Sequence, residues 1–97
     1  MKVTIVNESK LIGIDGEVFS GLSFDLANDV HAIQWYDTWG EVEHPVALQD
    51  GRPVKPANTV ITSFVDYEHL IPIWQAAKDA ATTALAAALT AAEQPQP

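Results

Sequence analysis

The chain has 97 residues, with 13 acidic side chains against 5 basic ones, a formal charge of −8 and no cysteine. One domain of this size buries a modest core, and it does so without disulfides, thiolate zinc sites or a cysteine nucleophile. The acidic balance speaks against a binder of nucleic acid or of an anionic membrane, both of which need clustered Lys and Arg.

Met1-Lys2 leads directly into Val3-Thr4-Ile5-Val6, with no apolar leader before it, so a soluble cytosolic chain is expected. The β-branched run from Lys2 to Asn7 predicts a first strand, and Asn7 to Lys10 a turn. Leu11 to Ile14 and Glu17 to Ser20 predict a hairpin about Asp15-Gly16, where glycine supplies the positive φ of a tight turn. A further short strand is expected around Leu22-Ser23-Phe24, ending in the turn-prone Ala27-Asn28-Asp29.

Val30 to Tyr36 and Glu41 to His44 predict a second hairpin, closed by Asp37-Thr38-Trp39-Gly40 with Gly40 as the left-handed residue. In that register Ile33 and Trp35 share a face and Val42 lies opposite Trp35. Pro45, Gly51, Pro53 and Pro56 predict an extended connector over 45–58 with a turn at Asp50-Gly51. Thr59 to Phe64 is expected as the last strand.

Asp66 and Glu68 carry the signature of a helix start. Pro72 is costly inside a helix and well suited to its first turn, so a short turn over Tyr67 to Leu70 is expected, then a helix beginning near Pro72. Alanine-rich sequence favours helix from Ile73 to Ala92. The expected fold is therefore α+β: a small antiparallel β module of hairpins over 1–70, one long C-terminal alanine-rich helix over 71–93, and a disordered tail over 94–97.

Large apolar side chains crowd the start of that helix, at Leu70, Ile71, Ile73 and Trp74, and thin to Leu85 and Leu89. The first part is expected to dock on the β module, leaving Ala80 to Ala92 uncharged and short of anchors. A heptad pattern runs through Ile71, Trp74, Lys78, Ala81, Leu85, Ala88 and Ala92, whose small members would let a second helix approach closely. Partner-binding residues are expected at Lys78, Ala81, Leu85, Ala88, Leu89 and Ala92, serving another protein or a second copy of the chain. The alternative is an ordinary amphipathic helix lying across its own sheet. Trp39, in a predicted turn, is the other candidate contact residue.

Little in the sequence suggests catalysis. Ser9, Ser20, Ser23 and Ser63 stand in no nucleophile motif, the glycines form no phosphate loop, and Glu41 with Glu43 reads as the wet side of a strand. His31 and His44 are expected on one hairpin face with His69 near the helix start, without the close spacing of a metal site. No enzyme activity, cofactor or metal is expected.

The block Val30-His31-Ala32-Ile33-Gln34-Trp35, a turn, and Gly40-Glu41-Val42-Glu43 resembles small tail-fibre-associated proteins of tailed bacteriophages and prophages. Pro56-Ala57-Asn58, Ile61-Thr62-Ser63-Phe64 and Leu70-Ile71-Pro72-Ile73-Trp74-Gln75-Ala76-Ala77-Lys78 are similar to the same group's strand-to-helix junction. The resemblance covers the second half of the chain and carries no catalytic residue. It implies a tail-fibre assembly helper that binds a tail or tail-fibre protein in the bacterial host cytoplasm. The longer assembly proteins have a further C-terminal domain, and this sequence stops at Pro97. The alternatives are a small structural component of the tail, found in the virion, or an acidic inhibitor that mimics nucleic acid.

Overall fold

The computed structural model describes residues 1–93, the side chains of Ala92 and Glu93 excepted. The expected tail over 94–97 lies outside the described residues. The fold is α+β, as the sequence predicts: a six-stranded antiparallel sheet with a small separate hairpin, followed by one C-terminal helix.

The strands are β1 (Lys2–Val6), β2 (Leu11–Ile14), β3 (Glu17–Phe19), β4 (Ala32–Tyr36), β5 (Gly40–Glu43), β6 (Ala47–Gln49), β7 (Arg52–Val54) and β8 (Thr59–Ile61). The main sheet runs β3-β2-β1-β4-β5-β8, and β6 pairs only with β7. The first strand is thus central, with β2 and β3 folded back on one side and β4, β5 and β8 on the other. The sheet is open, with β3 and β8 at its edges.

Asp15-Gly16 and Asp50-Gly51 both close two-residue hairpins, with φ of 49° and 89° in the first and 52° and 75° in the second. Successive positive φ values give the backbone twist that joins neighbouring strands. The second hairpin corrects the extended connector expected over 45–58. Pro53 is tolerated there because Leu48↔Pro53 lies one step beyond the turn-flanking pair Gln49↔Arg52. Antiparallel pairs alternate between bonded and non-bonded, so the position needs no N–H for the ladder.

The β4–β5 hairpin differs from its expected register. Trp35 pairs with Gly40 and Ile33 with Val42, so Val42 is not opposite Trp35. The left-handed residue of the turn is Asp37, at φ 80°, not Gly40. Gly40 is required for a different reason: a Cβ there would run into the Gln34 carbonyl oxygen and lie 2.9 Å from Trp35 Cε3.

No strand forms at Leu22-Ser23-Phe24. This segment belongs to the crossing from β3 to β4, begun by Gly21 and Leu22 donating to the carbonyls of Ser9 and Lys10. Phe24 and Val30 are buried in the core and Leu22 and Leu26 pack against it. The alternation that suggested a strand serves to plug the core. β8 also ends sooner than expected, at Ile61. Phe64 leaves the strand to stack on Trp35, ring centroids 5.4 Å apart.

One face of the sheet carries Val3, Ile5, Ile12, Ile14, Ile33, Trp35 and Val42, all buried. Phe24, Val30, Phe64, Leu70 and Trp74 cover it. Asp66 is not a helix cap. It lies in a turn ahead of the 3-10 turn Glu68–Leu70, whose capping residue is Tyr67 and which has no side-chain cap. The helix α1 (Ile71–Glu93) follows, with Pro72 in its first turn, where the missing N–H has no intrahelical partner to lose.

Candidate functional site

Helix α1 is held by its first two turns. The Trp74 indole is buried, packs edge-on to Phe19 at 6.2 Å and donates its Nε1–H to the Glu17 carbonyl oxygen at 2.8 Å. One turn later the Lys78 ammonium lies 3.3 Å from Glu17 Oε1 and 5.2 Å from the Trp74 ring centroid. Both anchors reach β3, an edge strand. Lys78, one of the expected partner-binding residues, thus pairs with Glu17 of its own sheet while its side chain stays 40% exposed.

Beyond Lys78 every described side chain of α1 is exposed, from Asp79 to Ala91. Leu85 is 61% and Leu89 54% exposed. At about 100° per residue, Ala81, Leu85 and Ala88 fall within roughly 40° of the direction of Trp74, and Leu89 within about 60°. The face that docks on the sheet thus continues outward with nothing beneath it. From Ala80 to Ala91 it bears no ionisable side chain. The alternative of a helix lying along its whole length on its own sheet is not what forms. Ala81, Leu85, Ala88 and Leu89 are assembled on one free surface, while the Ala92 side chain lies outside the described residues.

Trp39 is elsewhere. Strand alternation sends Trp35 inward and Tyr36 outward, and the Trp39 ring packs on Tyr36 with centroids 4.8 Å apart. Trp39 is 44% exposed on the sheet face opposite the core. The expected contact residues therefore form two separate surfaces: a helix overhang on the core side, and an aromatic pair on the other.

His31 and His44 line one small cleft with Pro45, Val46 and Lys55, each histidine with its own hydrogen-bond partner. His31 Nδ1 lies 2.8 Å from Glu8 Oε2. That hydrogen bond holds the Glu8 carboxyl below its ordinary value. His44 Nδ1 donates to the Asp29 carbonyl oxygen at 2.6 Å, and its Nε2 lies 2.7 Å from Thr59 Oγ1. His44 thereby ties the crossing segment to the start of β8. Among the described residues no three His, Cys, Asp or Glu side chains form a group that could hold a metal ion.

Sequence reasoning missed one feature. An open apolar cleft of about 430 Å³ lies at the base of the β6–β7 hairpin, lined by Asp29, His44, Pro45, Val46, Ala47, Pro56 and Ala57. The prolines that flank the hairpin were its only signal. The hairpin itself exposes Val46 and Leu48, the latter by 78%.

No protein-family model, curated protein or solved structure matches the chain. Among the described residues no helix is long and apolar enough to cross a membrane.

Proposed function

We propose that the chain is a non-enzymatic binding protein whose overhanging helix docks on another protein, and that this partner is a phage tail or tail-fibre protein. The observation that carries the first half is the exposed stretch of α1 from Asp79 to Ala91, which prolongs a docked face past the edge of its sheet. An uncharged helix face with leucines half exposed or more gains apolar contact when covered. The second half rests on the resemblance of the 30–43 and 56–78 blocks to tail-fibre-associated proteins. The role that follows is an assembly helper, present in the host cytoplasm while fibres form.

Co-expression with a phage tail-fibre protein tests this reading. The full chain raises the yield of soluble, trimeric fibre protein, and a Leu85→Asp/Leu89→Asp variant does not. Equal yields with and without the chain would sink the helper role. Abundant chain in purified particles would instead identify a structural tail component.

A second reading concerns the same helix. Because Ala80 to Ala91 carries no charge, the surface is as complementary to itself as to a foreign helix. Self-association through α1 then gives a mass above the monomer in light scattering that a chain ending at Lys78 loses. A monomer in both cases rules it out and leaves only a heterologous partner.

A further inference from the structure

The face of the sheet opposite the core carries a second arrangement that the helix reading does not use. On β4 and β5 the outward positions form successive rows. Tyr36 and Trp39 make the first, at the hairpin turn, and Gln34 paired with Glu41 makes the next. Thr4 extends that second row onto β1, its Oγ1–H donating to Gln34 Oε1 at 2.8 Å. Gln34 Nε2 in turn donates to Glu43 Oε2 at 3.3 Å. The rows are about 7 Å apart, two residues along a strand. A half-exposed Trp and Tyr thus stand beside an amide, a hydroxyl and carboxylates; all but Trp39, which lies in the turn joining β4 to β5, are on strands.

We propose that this surface binds a neutral oligosaccharide, with one pyranose ring stacked on Trp39. The ring C–H bonds of a sugar are weakly positive and meet the negative face of an aromatic ring. Its hydroxyls both donate and accept, and so need acceptors and donors close together. Glu41, Glu43 and the Thr4 oxygen supply acceptors, the second N–H of the Gln34 amide supplies a donor, and the step between rows spans a stacked ring and its outlying hydroxyls.

Three other ligands fit less well. A proline-rich peptide needs a groove between aromatic ridges, and the Tyr36 and Trp39 rings lie 4.8 Å apart, in contact. A cationic ligand would compete with Lys2, whose Nζ already lies 5.8 Å from the Tyr36 ring centroid. A nucleic acid would meet Asp37, Glu41 and Glu43 on a chain of net charge −8.

The test is titration of the full chain with triacetylchitotriose, cellopentaose and maltopentaose, followed by tryptophan fluorescence and by amide shifts. Trp35 and Trp74 are buried, so Trp39 is the tryptophan a surface ligand can reach. Saturable binding of at least one sugar is expected, with a dissociation constant of order 1 mM. Its amide shifts centre on Gln34, Trp39 and Glu41. Trp39→Ala and Tyr36→Ala, both at exposed positions, each weaken it at least tenfold. Trp39→Phe retains part of it, and Leu85→Asp/Leu89→Asp leaves it unchanged. No saturable binding of any of the three sugars up to about 10 mM overturns the proposal. So does binding that survives Trp39→Ala, shifts centred on the Pro45–Pro56 cleft, or capture of a polyproline peptide in place of sugar.

Discussion

At Gly40 hydrogen is the only substituent that fits. The φ there is not left-handed, so the constraint comes from β4 across the hairpin, where the Gln34 carbonyl and the Trp35 ring fill the space a Cβ would need. Gly40→Ala should cost about 1–3 kcal/mol, the usual penalty of overpacking a filled site, and should appear as a lower urea midpoint. Glu8 and His31 give a prediction of another kind. The His31 hydrogen bond depresses the Glu8 pKa. A carboxyl depressed in the folded state adds stability above its ordinary pKa and loses that contribution as pH falls through the folded value. In His31→Ala the Glu8 carboxyl carbon should therefore titrate at a higher pH by NMR. At this scale the sequence identified Gly40 as special but misjudged why. A glycine in a turn suggests positive φ, and nothing local shows that Asp37 takes that conformation while a neighbouring strand crowds the glycine.

Among the elements, α1 divides at Lys78. Trp74→Ala removes a buried indole and its hydrogen bond to β3, and should cost about 3–5 kcal/mol. Leu85→Gln removes a side chain that is 61% exposed and should change stability by no more than about 0.5 kcal/mol. Thermal unfolding followed by circular dichroism distinguishes the two. This division was legible in the sequence, because large side chains thin to Leu85 and Leu89 after Trp74 and docking needs them. The pairing of Lys78 with Glu17 was not, since Glu17 is supplied by a strand distant in sequence. The turns at Asp15-Gly16 and Asp50-Gly51 were legible because local sequence alone determines them. The hairpin strands beside the second were not, since Pro53 reads as a strand breaker until its non-bonded position is known.

The whole molecule is far from spherical. Its radius of gyration is 18.0 Å and its extents are 70 × 32 × 18 Å, against about 12.5 Å expected for a compact chain of this length. Small-angle scattering on a chain ending at Lys78 should give a radius of gyration of about 12 Å. An unchanged value would mean that the helix is not what lengthens the molecule. The strand order β3-β2-β1-β4-β5-β8 was not legible in the sequence. It depends on a crossing segment that alternates like a strand yet packs as a plug, and only the position of Phe24 in the core separates the two. The two surfaces singled out by composition, Trp39 and the free half of α1, were each recognisable. That they lie on opposite faces follows from strand parity, which a register shift in the hairpin would have hidden.

Under the proposed docking role, the overhang also makes backbone propensity a control on affinity. From Asp79 onward α1 is held by its own hydrogen bonds rather than by tertiary packing, and an isolated helix of this length is marginal in water. Amide exchange should therefore quicken along the helix from Lys78 toward Ala91. A partner that grips the helix must first hold it in shape. Ala84→Gly, whether or not Ala84 touches the partner, should then weaken binding by about 1 kcal/mol, roughly a fivefold loss at room temperature. Alanine is the residue that costs a helix least. Its abundance in this segment keeps a projecting arm helical without enough apolar surface to fold it back onto the body.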